Sequence, residues 1–330
     1  MGKSIYIFLF SFLVFIIFYY FYFFWYSYSY FPEGQNLNAT PPKQPLSGPG
    51  GREYLAREID IISLKDSLIF FPKGIDLNKA PIVLILEDPI FLQRLKTNED
   101  FLGNFGLNHI VKKGNIVVFP IYQKSIFDFF SYSSIVDRTT ILLENSFSEI
   151  KKMLPENKFD KFLIIGIGSG GALATHLLEK NIPQPSILIF ISPYTNFPLF
   201  PSFLFGIPFS KIENLPFKGY LITILAEKDR IFSEREIFKI YKETLVEKKF
   251  IFKIPSDNYG TPSLISNKET IFHQYNSLSY YGTMKIFDVV LNCAFERLDC
   301  HLLSEKKEKL LEMGEWSDGK EVKRIIEIKF

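Results

Sequence analysis

A chain of 330 residues has room for one large domain and a targeting segment, and a formal net charge of +2 excludes the basic footprint of a nucleic-acid binder. The lysines are scattered among glutamates in helical stretches, which is the pattern of a solvated surface. Neither the two cysteines nor the four histidines form a set with metal-ligand spacing, so no metal or other cofactor is expected.

The chain opens with an uncharged run of 27 residues, from Ile5 to Phe31, of which 17 are aromatic. A secretory signal has a shorter apolar core and a small-residue cleavage site, whereas a bilayer core takes about 20 apolar residues. The run therefore predicts one N-terminal transmembrane helix, with its Tyr- and Trp-rich end at an interface and a cleaved signal as the alternative. Lys3 is the one side-chain cation ahead of the run, which places the N-terminus inside and the rest of the chain outside the cytoplasm. Residues 32–52, rich in Pro, Gly, Asn and Gln, predict a linker, and a domain begins near Glu53.

From there the sequence alternates. Two strands joined by a turn near Lys65 and Asp66 are followed by PIVLILE (81–87), NIVVFPI (115–121), FLIIGI (162–167), SILIFIS (186–192), GYLITILAE (219–227) and KFIFKIP (249–255). Helical patterns cover 137–153, 171–180, 234–247 and 284–295. Continuous apolar strands alternating with helices predict a mostly parallel sheet covered on both faces. Residues 193–217, aromatic and proline-rich, interrupt the alternation and predict a small cap that lines an apolar or acyl ligand pocket, or else a packed loop. Cys293 and Cys300 are seven residues apart, too far along a continuous helix for a disulfide unless the helix ends between them.

The most informative stretch is KFLIIGIGSGGALATHLLEK (161–180): a strand, a glycine-rich turn and a helix. Gly166, Gly168 and Gly171 fit the spacing of a dinucleotide fingerprint, but the strand is not the first of the domain and no carboxylate follows at the ribose position. The alternative pattern is small-x-nucleophile-x-small, with Gly166 and Gly170 at the small positions and Gly168 between them. A frame shifted by one makes Ser169 the nucleophile but puts β-branched Ile167 inside the turn.

With this turn and the segments HIVKKGNIVVFPIYQ (109–123), SDNYGTPSL (256–264), YYGTMKIFDVV (280–290) and WSDGKEV (316–322), the chain resembles secreted bacterial α/β-hydrolases of the lipase, esterase and dienelactone-hydrolase kind, from about residue 48 to residue 322. The resemblance implies an α/β-hydrolase fold with a serine nucleophile, an acid, a histidine and backbone donors for the oxyanion. Here the nucleophile position is Gly168, the acid position Asp229 and the histidine position Tyr259, and the His-Gly of the oxyanion loop is replaced by Glu87 and Asp88, which would repel an oxyanion. The resemblance thus implies a degenerate site and a ligand- or protein-binding role. The alternative is an active carboxylic-ester hydrolase using Ser169, Asp229 and His273; His109, His176 and His301 lie in segments that suit core, helix surface and tail.

Overall fold

The computed structural model describes residues 34–88, 92, 97–123, 132–195, 207–210, 217–229 and 234–329, together with residues 11, 12, 14 and 15. No helix among the described residues is long and apolar enough to cross a membrane. The predicted transmembrane helix lies outside the described residues but for those four positions, and so does most of the predicted cap.

Among the described residues the nine strands are β1 (Ile59–Leu64), β2 (Ser67–Pro72), β3 (Ile82–Leu86), β4 (Ile116–Pro120), β5 (Phe162–Ile167), β6 (Ile187–Ile191), β7 (Tyr220–Ala226), β8 (Lys248–Ile254) and β9 (Ile326–Ile328). They form one sheet in the order β1-β2-β4-β3-β5-β6-β7-β8-β9. Strands β3 to β8 run parallel, while β1, β2 and β9 close the edges through antiparallel pairs. Every residue of β2 to β7 is buried, which requires cover on both faces and explains why these strands read as unbroken apolar runs. All eight predicted strands are present. The ninth, three residues of the tail, pairs Ile328 with Ile251.

The helices that bear on the site are α1 (Phe105–Lys112), α2 (Tyr132–Met153), α3 (Ser169–Leu177), α4 (Glu234–Glu243), α5 (Lys268–Phe272) and α6 (Lys285–Leu291). The wider π-turns Leu278–Met284 and Asn292–Glu296 flank α6. The second ends at Arg297 in the left-handed conformation (φ 57°), and Asp299 follows with φ 58°. This reversal brings the Cα atoms of Cys293 and Cys300 to 4.7 Å, and the two cysteines form a disulfide.

Residues 34–56, most of which were expected to be a linker, are laid along the domain as a strap. Backbone bonds join Gln35 N to Asn258 O (3.0 Å), Asn36 N to Tyr259 O (2.7 Å) and Thr261 N to Ala39 O (2.8 Å). Further along, Gly50 N–H donates to the buried Asp288 carboxylate at 2.7 Å, which also meets His109 Nε2 at 3.2 Å. Prolines and glycines suppress regular structure here without preventing docking, because side chains and loops of the domain satisfy the backbone polar groups.

Candidate functional site

The site lies where the parallel strands end at their C-terminal edge, the usual position for ligand chemistry in open α/β sheets. Strand β5 stops at Ile167, and the chain reverses into α3 through Gly168, with φ 58° and ψ −125°. That backbone region is costly for a residue with a side chain and open to glycine. A Cβ on Gly166 would fall 2.5 Å from Gly171 Cα, and one on Gly170 only 2.0 Å from Leu86 O. The two obligatory small positions are thus Gly166 and Gly170, and they centre the turn on Gly168. Ser169 is instead the first residue of α3; its Oγ is buried and has no hydrogen-bond partner among the described residues.

The space in front of Gly168 is taken by Asp88. A Cβ at Gly168 would meet Asp88 Oδ2 at 2.5 Å and the Tyr194 ring at 2.9 Å. Asp88, just past β3, is fully buried; it accepts a hydrogen bond from the Tyr194 hydroxyl and forms an ion pair with Lys268 Nζ at 2.6 Å. The Lys268 ammonium also lies 5.2 Å from the centre of the Tyr194 ring, a cation–π contact. Burial works against that ammonium, but Asp88, Asp229 and Glu87 outweigh it and hold its pKa above the ordinary lysine value. Lys268 is therefore a fixed cation, not a base. Desolvation and the neighbouring Asp88 push the Tyr194 phenol well up, so it stays a neutral donor.

Asp229 follows β7, buried, and its field acts on both Lys268 and Tyr194. The loops that carry Asp229 and Lys268 are joined by Lys228 N to Ser266 O at 2.8 Å. Lys268 opens α5, whose N-cap Asn267 forms a capping box with Thr270, so the first turn is held on both sides. Glu87 is also fully buried; its Oε1 accepts Asp88 N–H at 2.8 Å, and the Tyr122 hydroxyl donates to its carbonyl oxygen. Desolvation drives the Glu87 carboxyl well above the usual range, against the Asp88 N–H bond, which lowers it; the Asp88 charge adds a smaller upward push.

The remaining predicted residues are placed elsewhere. Tyr259 Oη donates to Asp318 Oδ2 at 2.6 Å and accepts from Asn36 Nδ2 at 3.2 Å, while its ring packs on Trp316. Its side-chain contacts are with the strap and the C-terminal tail, and none is with Asp229. His273 caps the end of α5; its Nδ1 lies 2.7 Å from Asn104 Nδ2, and its Nε2 is 3.6 Å from Glu87 Oε2. Because Asn104 Oδ1 accepts Leu107 N–H, the Asn104 amide nitrogen faces the ring as donor, which leaves Nδ1 as acceptor and the proton on Nε2. Ser169 and His273 are not joined by a hydrogen bond. The sequence reading missed Lys268: in SNKET nothing local separates it from any other helix-start lysine, and its part in the cluster comes from the crossover that returns the chain from β8 to the elbow.

The site therefore consists of one buried ion pair with phenol donors around it. Among the described residues no group of three or more His, Cys, Asp or Glu side chains is arranged to hold a metal ion.

No protein-family profile and no curated protein matches the sequence. Solved structures do match in shape. Carboxyl esterase 2 from the mycorrhizal fungus Tuber melanosporum superimposes with a TM-score of 0.53 at 15% identity, over 80% of this chain and 92% of that one. An alpha/beta hydrolase enzyme from a Medee basin deep-sea metagenome library gives a TM-score of 0.44 at 17% identity, over 60% of this chain and 81% of that one. The strand order, the turn after β5 and the likeness to the fungal esterase together show that this chain has the α/β-hydrolase fold.

Proposed function

We propose that this protein is an α/β-hydrolase-fold protein that does not hydrolyse esters through a serine nucleophile and whose role is binding. The observation that carries this reading is the Asp88 carboxylate, 2.5 Å from where Gly168 would bear a Cβ. A serine hydrolase needs a nucleophile on the turn and a base within hydrogen-bond reach. Gly168 has no side chain, Lys268 is tied to Asp88, and Tyr259 is bonded to Asp318. Losing nucleophile or base alone removes several orders of magnitude in rate.

The test is labelling of the full chain with a fluorophosphonate probe, beside turnover of short and long nitrophenyl esters. No labelling and no turnover, unchanged by Ser169→Ala, is the expected result. Labelling that disappears in Ser169→Ala would overturn the proposal and favour an active carboxylic-ester hydrolase built on Ser169, Asp229 and His273.

The same proposal includes single-pass attachment through residues 5–31, with the folded part outside the cytoplasm. The Cys293–Cys300 disulfide supports an oxidising compartment. Protease added outside intact cells is expected to remove the domain; full protection would reject export. An apolar ligand under the 193–217 insertion belongs to the proposal too, supported by the composition of that stretch.

A further inference from the structure

Away from the elbow, the strap and the segment after β8 enclose a groove of about 600 Å³, within the size range of small-molecule sites. Its wall is mainly apolar, with Pro41 and Pro42 on the strap side and Leu264, Ile265, Leu278 and Tyr280 opposite. Lys43 and Arg52 also line it; both are exposed, and neither side chain has an ion-pair or hydrogen-bond partner among the described residues. Among the described residues no aspartate or glutamate lines the groove. Two unneutralised cations beside an apolar trough favour a ligand with one negative end and a hydrocarbon body.

The groove is preformed. Ser277 Oγ donates to Pro42 O at 3.0 Å and the Tyr280 hydroxyl donates to the same carbonyl. Gln44 Nε2 donates to Gly50 O at 3.0 Å, holding the two cationic ends of the strap in one loop. A ligand entering such a groove orders little of the protein, which favours affinity.

We propose that this groove binds a single-chain amphiphile with an anionic head, the chain lying along the proline and leucine wall and the head meeting Lys43 and Arg52. The site is separate from the elbow and does not depend on whether the protein hydrolyses esters.

The experiment is photolabelling of the full chain in a non-ionic maltoside with a palmitate probe carrying a diazirine and an alkyne, with mapping of the labelled peptides. A lysophosphatidate of the same chain and the corresponding uncharged alcohol are run alongside. Labelling is expected in the peptides spanning 41–52 and 262–280, and the alcohol is expected to label about fivefold less. Lys43→Glu with Arg52→Glu should cut labelling about tenfold, whereas Lys43→Arg with Arg52→Lys should keep it. The stronger of the two anionic probes identifies the head as carboxylate or phosphate. Labelling elsewhere, equal labelling by the alcohol, or labelling indifferent to the charge reversal would each overturn the proposal. Both cations are exposed, so an unchanged melting midpoint verifies that the variants fold.

Discussion

Lys268 Nζ meets Asp88 Oδ2 at 2.6 Å across 180 residues of sequence, in the space beside the turn at Gly168. Both partners are buried, so each charge depends on the other for the solvation it gave up on folding. Breaking such a pair from one side strands a charge and costs about 3–5 kcal/mol, whereas replacing both partners is far milder. Lys268→Met is therefore expected to destabilise strongly, and Asp88→Asn with Lys268→Met to recover much of the loss. Urea unfolding of the parent, Lys268→Met, Asp88→Asn and the double variant checks this, and a double-variant loss equal to the sum of the two single losses would show that the pair is not coupled.

Gly168→Ser would restore the residue type of a hydrolase elbow without restoring its surroundings. The new Cβ meets a carboxylate oxygen that is itself anchored by Tyr194 and Lys268. The backbone conformation costs about 1–3 kcal/mol for a residue with a side chain, and overpacking adds about 1–3 kcal/mol. The variant is expected to be less stable and inert toward esters. In an Asp88→Gly background the clash with the carboxylate should vanish, leaving the backbone share and the 2.9 Å approach to the Tyr194 ring, so the penalty should shrink without disappearing, which thermal melts of the two backgrounds resolve.

The Cys293–Cys300 bridge closes a loop in which Arg297 and Asp299 both have positive φ. For a ring of this size the loop-entropy relation gives about 2.5 kcal/mol of stabilisation. Dithiothreitol is expected to lower the melting midpoint of the parent protein and to leave Cys293→Ser with Cys300→Ser unmoved. A parent indifferent to reductant would show that the bond adds no stability.

The parallel core was legible in the sequence because strands covered on both faces read as unbroken apolar runs, as in Ile187–Ile191 and Tyr220–Ala226. The edge strand Ile326–Ile328 was not, since a half-exposed strand of three residues leaves no periodicity to detect. At the site, the turn was legible through glycine spacing, which reflects steric limits close in sequence. Lys268 and the docked strap were not, because what makes them matter is contact with residues far away in the chain, such as Asp88 and Asp288. Composition marked 32–52 as irregular, and residues 34–52 are irregular, but irregular backbone can dock on a domain when its polar groups are satisfied.

Glu87 makes a pH dependence testable. Desolvation raises its carboxyl well above the usual range; the Asp88 N–H bond and Lys268 oppose the shift, and the charges of Asp88 and Glu269 add to it. The folded state keeps the proton over a range where the unfolded chain, with a glutamate pKa of about 4.3, has released it. The unfolded state then binds fewer protons, so stability is fully present below that value and falls as pH rises toward the folded pKa, by up to about 1.4 kcal/mol per pH unit. Lys268 does not blur this window: its raised pKa puts its own loss of stability above the lysine range of about 10.4. Unfolding free energies from pH 4.5 to pH 8 are expected to fall more steeply for the parent than for Glu87→Gln, which has the same shape and no proton to lose. Parallel slopes would mean that Glu87 ionises in the folded protein, with Lys268 or His273 taking up its charge.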